Sequence, residues 1–281
     1  MSTFTEPFSA SSGDPFWVGL VDDAATFPPG DAPLDAALTA YADRAGPAAR
    51  LVRSLVVRDT DLPQVPAGTP VSVVLTGGAG QVHGPAQLCQ RRGLPVAGLE
   101  IALRDVDDPA GNARRVVAAV DAARGEGVLD EDTPVFVELP AVDPAYSWLA
   151  AADEVAAAEL RLKLRTGGLD PDAFPTPERL AAWIDAALDR ELPFKCTAGL
   201  HRALPHVDAD GCAHHGFLTL LAATRVAFDG GSPDDVVSTL RRDDPTDLLT
   251  LDLAGARRWF TSFGSCSIDE PLADLRELVS L

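Results

Sequence analysis

The sequence predicts an α/β fold, a (β/α)8 TIM-type barrel with an enlarged segment between its seventh and eighth strands. Three observations carry this. Eight β-like runs alternate with helix-period stretches, the 281 residues are about what such a barrel needs, and charged residues stand at the C-terminal ends of several runs, where barrels gather their chemistry. A doubly wound open sheet is the competitor, and an error of one strand would permit it. No G-x-G-x-x-G follows the first run, which removes the commonest dinucleotide-binding reading.

The elements follow in order. PFWVGLVDD (15–23) reads as the first strand, with a helical pattern at 34–44 behind it. LVRSLVV (51–57) and PVSVVLTGG (70–78) are the second and third, and the GGAG at 77–80 is a turn. A helix at 85–92 leads to GLEIAL (98–103), and one at 110–124 to VFVELP (135–140). A helix at 146–157 precedes ELRLKLRTGG (159–168). The next helix, 176–190, starts with Thr176 as cap and Pro177 at its first position, and leads to PFKCTAGL (193–200). The segment 201–258 exceeds one crossover, so a lid or extra helices are expected there, with helical patterns at 215–228 and 233–241. WFTSFGSCS (259–267) is the eighth strand and 271–281 a closing amphipathic helix. No linker or repeat divides the chain, so residues 1–281 are read as one barrel domain containing the 201–258 segment.

Composition bounds the function. With 46% hydrophobic residues the chain is not disordered, and no run of about 18 apolar residues exists to cross a membrane. The first residues lack the basic start and apolar middle of a secretory signal, so a cytoplasmic location is expected. The net charge of −19 repels phosphate backbones and anionic lipid, which argues against nucleic acid and membrane as partners. Cys89, Cys196, Cys212 and Cys266 form no C-x-x-C pair and read as free thiols. Cys266 sits beside two serines, with no activating base adjacent in sequence.

Of the 23 basic residues only two are lysine, Lys163 and Lys195. A base-composition bias explains the scarcity but not the places of the survivors. Arginine cannot replace lysine where a neutral amine must act as base or nucleophile. In the sixth strand Leu160, Leu162 and Leu164 suit the helix-facing side, leaving Lys163 and Arg165 inside near the mouth. In the seventh, Lys195 and Thr197 share a parity. Glu138 and Glu100 end the fifth and fourth strands, and Asp22 the first. With roughly a tenth of barrel positions at C-terminal strand ends, two lysines placed at random would both land there about once in 100 chains.

Neighbouring cations and partial burial are expected to lower one lysine amine from about 10.4 towards neutrality. A neutral amine can attack a carbonyl and form a Schiff base, an electron sink for carbon–carbon bond chemistry. Glu138, Asp22 or His201 would move protons. Arg165 would depress the amine or hold an anion, and Glu100 joins the rim as a substrate-binding candidate.

The motifs LKLRTGG (162–168), FKCTAGL (194–200) and FGSCS (263–267) resemble the last three strands of the deoxyribose-phosphate aldolase group of class I aldolases, with its Lys-x-x-Thr-Gly, Lys-x-x-Gly-Gly and Phe-Gly-x-Ser-Ser strand ends. The resemblance implies Lys163 as the Schiff-base lysine and Lys195 as the lysine that tunes it, with Glu138 a looser match. It also implies phosphate binding by backbone amides at Ala198–Gly199 and Gly264–Ser265, and adds Thr166, Gly167 and Thr197 to the substrate-binding candidates. The chain departs from the pattern in Thr-Ala-Gly at 197–199, in Arg165 before Thr166, and in the long gap from Lys195 to Gly264. F-K-x-T-A-G-L-H with F-G-S-C-S-x-D-E-P is also similar to a bacterial barrel group that implies no activity.

Four of five histidines, His201, His206, His214 and His215, fall just after the seventh strand, among Asp208, Asp210 and Cys212. Their spacing fits a lid that supplies one acid or base, His201 foremost, or a divalent metal site, or ordinary loop residues. His83, in a Gly-Pro loop, reads as surface. The leading expectation is thus a lyase or isomerase acting through a lysine Schiff base on a small, polar, anionic or phosphorylated carbonyl compound, needing no cofactor and compatible with a homo-oligomer. The alternatives are a metal-dependent hydrolase or isomerase that uses the histidines, and a non-catalytic binding barrel whose lysines are locked in ion pairs with no open cavity.

Overall fold

The computed structural model describes residues 15–209 and 211–279. Its strands are β1 (Val21–Asp23), β2 (Val52–Arg58), β3 (Val71–Leu75), β4 (Val96–Ala102), β5 (Val135–Glu138), β6 (Arg161–Arg165) and β7 (Phe194–Thr197). A two-stranded hairpin of β8 (His206–Val207) and β9 (Ala213–His214) precedes the last strand, β10 (Phe260–Ser265). All except the hairpin join, in the order β1-β10-β7-β6-β5-β4-β3-β2, into one closed parallel barrel. This is the (β/α)8 TIM-type arrangement, and closure leaves no edge strand exposed.

Helices α1 (Leu34–Ala42) and α2 (Gly46–Leu51) lie between β1 and β2, followed by α3 (His83–Arg92), α4 (Pro109–Gly125), α5 (Tyr146–Ala157) and α6 (Pro177–Leu188). Thr176 caps α6 as its sequence requires, accepting from the Arg179 amide with Pro177 in the first turn. After the hairpin come α7 (Phe217–Phe228), α8 (Pro233–Leu240), α9 (Pro245–Leu248) and, beyond β10, α10 (Asp269–Val279).

Several boundaries differ from expectation. Residues Pro15–Trp17 form a 3-10 turn, and β1 is only three residues long. Leu51 ends α2 instead of opening β2. The enlarged segment holds the extra helices that were one of its two expected contents, and α7 buries every residue from Phe217 to Thr224, which makes it the crossover helix against the barrel wall. The hairpin, α8 and α9 are the additions. The N-terminal stretch read for a leader, Asp210, and residues 280–281 of the closing helix lie outside the described residues. No helix of the described chain is long and apolar enough to cross a membrane.

The strand parity puts Leu162 and Leu164 on the helix side, both buried, and turns Lys163 into the barrel. Register then aligns the charges. Lys163 is the partner of Glu138 on β5 and of Lys195 on β7, and Asp22 is the partner of Gly264 and Ser54. An interior usually filled by branched apolar residues carries here a layer of charged and hydroxyl side chains.

Candidate active site

Seven side chains form a chain of alternating charge across the barrel. Arg53 Nε lies 3.1 Å from Asp22 Oδ1, and Lys195 Nζ lies 2.6 Å from Asp22 Oδ2 and 2.7 Å from Glu100 Oε1. Glu100 Oε2 takes Lys163 Nζ at 2.8 Å, which also reaches Glu138 Oε2 at 2.9 Å, and Glu138 Oε1 takes Arg165 Nε at 2.7 Å. The hydroxyls of Ser54 and Ser262 donate to the two oxygens of Asp22, at 2.7 and 2.8 Å. The Lys195 ammonium stands 5.4 Å above the centre of the Phe136 ring, which floors the layer. Four cations face three carboxylates, all but the two arginines buried, so nearly every charge is neutralised where burial would otherwise be costly.

The pairing sets the protonation states. Burial raises the Glu100 carboxyl, but the two lysines pull it further the other way, down to about 2. Asp22 and Glu138 are likewise held below the usual range by their cations against the effect of burial. Burial lowers the Lys163 amine, yet Glu100 and Glu138 outweigh it and hold the ammonium up at about 12. The expectation of a Lys163 amine lowered towards neutrality is therefore corrected. Sequence parity placed the cations and the carboxylates at one level of the barrel, but not the direct pairing of each lysine with two carboxylates that sets the direction of the shift.

A cavity of about 380 Å³ opens on one side of this layer. Glu100, Lys163, Arg165 and Thr197 line it, together with Gly199, His201, Gly264 and the apolar Phe27, Val56 and Val74. Lys195, Asp22 and Glu138 lie outside its wall, and Lys195 is only 1% exposed. Lys163 is thus the amine that faces the cavity. Both lysines are ion-paired, as a non-catalytic barrel would have them, but the open cavity departs from that reading.

Thr166, Gly167 and Ser265 shape the rim without lining the cavity. Thr166 Oγ1 donates to the carbonyl oxygens of Ala198 at 2.6 Å and Thr197 at 3.2 Å. Gly199 has φ +74°, and a Cβ there would stand 2.8 Å from the Thr166 carbonyl oxygen. The TGG and TAGL turns therefore lock together through backbone contact that a side chain would prevent. Ser265 donates to the Ser267 carbonyl at 2.6 Å.

The four clustered histidines turn to different partners. His201 Nδ1 is 3.1 Å from Glu270 Oε2. His214 lies between the Gly199 carbonyl and Asp208 Oδ2, at 3.0 and 2.9 Å, and stacks on His206. His215 is buried on the Pro175 carbonyl, 2.8 Å away. Among the described residues no group of three or more His, Cys, Asp or Glu is placed to hold a metal ion. His83 lies at the surface beside Glu126, but it opens α3 where a loop was expected.

Sequence reasoning missed Arg53, Ser54 and Ser262, which hold Asp22. Arg53 and Ser54 sit in an otherwise apolar second strand, a signal that was visible. The partners of His201 lie more than 60 positions away, and nothing local marks them.

The fold and this layer define a parallel (β/α)8 barrel with a lysine–carboxylate site at its cavity. No family model matches the chain, and no curated protein does. Among solved structures it is similar to a tetrameric deoxyribose phosphate aldolase from Aeropyrum pernix, with a TM-score of 0.55 and 15% identity over 95% of this chain and 94% of that one. At that identity the likeness shows the fold alone.

Proposed function

We propose that the protein is a lyase of the class I aldolase type, in which Lys163 forms an imine with a small, polar carbonyl compound. The observation that carries this is the position of Lys163: its ammonium lies on the cavity wall between two carboxylates, one of them shared with the deeper Lys195.

The chemistry is consistent with a resting ammonium. The neutral amine, about one in 10⁵ at pH 7 for an amine at about 12, attacks the carbonyl carbon. Two protons, one shed by the ammonium to free the amine and one lost by the nitrogen after attack, pass through Glu100 or Glu138 to the former carbonyl oxygen, which leaves as water. Ammonium and protonated imine carry the same single charge. The cradle that disfavours the neutral amine therefore favours the cationic imine, the species that accepts electrons when a carbon–carbon bond breaks. Lys195, bound to the other oxygen of Glu100, limits how basic that carboxylate becomes. Arg165 and the backbone at Gly199 and Gly264 would receive an anionic or phosphate group. The tetramer named for the similar structure is the support for a homo-oligomer. The acidic composition favours a small-molecule substrate over nucleic acid or anionic lipid.

Borohydride trapping with a panel of small aldehydes and ketones, read by intact mass and peptide mapping, tests the reading. A reduced adduct on Lys163 that disappears in Lys163→Arg is expected. An adduct on Lys195 instead would exchange the two roles, and no adduct with any carbonyl would overturn the proposal.

A further inference from the structure

In the same cavity as Lys163 stands a second group of reactive side chains, formed by residues the lysine chemistry does not use. Cys266 follows β10 directly and lines the cavity, as does His201 from the loop after β7. The sulfur of Cys266 lies 3.9 Å from His201 Nε2, and the other ring nitrogen, Nδ1, lies 3.1 Å from Glu270 Oε2 in the first turn of α10. Ser265 Oγ is also near Nδ1, at 3.4 Å. With Nδ1–H donating a hydrogen bond to Glu270, the ring turns the Nε2 lone pair towards the thiol. This is a nucleophile, a base and an orienting carboxylate in series, and such contacts are commonly long before a substrate is bound.

Two further features support a built arrangement. Gly30 lies so close that a Cβ there would stand 2.9 Å from Cys266 Cβ, so its backbone packs directly on the cysteine. The imidazole is held below its ordinary 6.5, chiefly by burial and also by His214 and His206, against the pull of Glu270. The thiol is raised above its ordinary 9.0 by burial, with Glu270 and Asp23 adding to the rise against the Gly30 backbone. Thiol and imidazole are therefore both neutral at pH 7, the arrangement in which the base takes the proton as the bond forms.

We infer that Cys266, His201 and Glu270 are a second nucleophilic centre of this cavity, which accepts the acyl group of a small ester or thioester onto the Cys266 sulfur. The sulfur attacks the carbonyl carbon while its proton moves to His201 Nε2 and the carbonyl electron pair moves to oxygen. Collapse breaks the bond to the leaving alkoxide or thiolate, which takes the proton from His201. Water, deprotonated by the same nitrogen, then hydrolyses the thioester to a carboxylic acid and restores the thiol. No oxidant or reductant is needed. Lys163 and Arg165, which line the same cavity, favour an acyl compound that carries an anionic group.

The probe is 4-nitrophenyl acetate, followed by the nitrophenolate burst and by peptide mapping of the acetyl group. A stoichiometric burst with acetyl on Cys266 is expected, its rate rising to a plateau with a midpoint below 6.5, as a neutral His201 requires. Cys266→Ala should abolish the burst, and His201→Gln should slow it by about 10²-fold. A rate that rises only above 9.0, as the thiol would on its own, overturns the proposal. So does acetylation spread over Cys212 or the lysines, or an unchanged burst in His201→Gln. The pH profile uses the unmodified protein, so a variant that fails to fold leaves the test intact.

Discussion

Lys163 and Lys195 are register partners on adjacent strands, yet their ammonium groups meet through one carboxylate, Glu100, each of whose oxygens takes one of them at 2.8 and 2.7 Å. Two cations on neighbouring strands would repel. Glu100, reaching from β4 across the barrel, turns the repulsion into a bridge.

Replacing Glu100 by Gln should therefore destabilise the protein by about 3–5 kcal/mol, because two buried ammonium groups each lose a charged partner. Urea unfolding would measure it. A loss below about 1 kcal/mol, the range of exposed pairs, would show that water reaches the layer.

Stability should also fall at both ends of the pH scale. Glu100, lowered from 4.5 to about 2, contributes stability that is complete above 4.5 and lost as pH falls towards 2, with Asp22 and Glu138 acting in the same direction. Lys163, raised from 10.5 to about 12, contributes stability that is complete below 10.5 and lost as pH rises through 12. Denaturation midpoints across a pH series should show a plateau between 4.5 and 10.5 with a decline on each side, and a midpoint unchanged from 4.5 down to 2 would contradict the account.

The same cradle fixes how imine formation responds to pH. Since attack needs the neutral amine, the initial trapping rate at Lys163 should climb by about tenfold per unit above pH 7, well into the alkaline range. A plateau by about pH 8 would show that a bound carbonyl compound separates Lys163 from Glu100 or Glu138, returning the amine to a less basic state.

Gly199→Ala should be costlier than Gly68→Ala. Both glycines have positive φ, +74° and +83°, but a Cβ at 199 meets the Thr166 carbonyl at 2.8 Å while one at 68 meets nothing within 4 Å. The exposed site should lose about 1 kcal/mol from backbone conformation alone. Position 199 should lose more and also slow trapping at Lys163, because the rim that carries Arg165 and Thr197 must shift. Thermal unfolding of the two variants makes the comparison.

The barrel was legible because its period-2 runs and helical stretches alternate plainly, and because the leucines of β6 leave only one side for Lys163 and Arg165. The meeting of Lys163, Lys195, Glu100, Glu138 and Asp22 was legible for the same reason. What the chain did not reveal was the balance within the layer. Whether a lysine is lowered by a neighbouring cation or raised by carboxylates depends on contacts of a few ångströms set by closure of the barrel. The Cys266–His201 contact was hidden likewise, since it joins the ends of two strands that pair side by side but are separated by more than 60 residues of sequence. The early residues 15–17 misled for a local reason: Pro15-Phe16-Trp17 has strand-like residue types but turns before β1 begins.

The charge layer also bears on how this chain folds. Its first four strands bring Asp22, Glu100 and Arg53, and its last four bring Lys163, Lys195, Arg165 and Glu138. Neither half can bury its interior alone without stranding charges of one predominant sign, negative in the first and positive in the second. The halves are complementary to each other and poor partners for themselves. Separately expressed, they should remain open until mixed, and the barrel should then assemble as a pair.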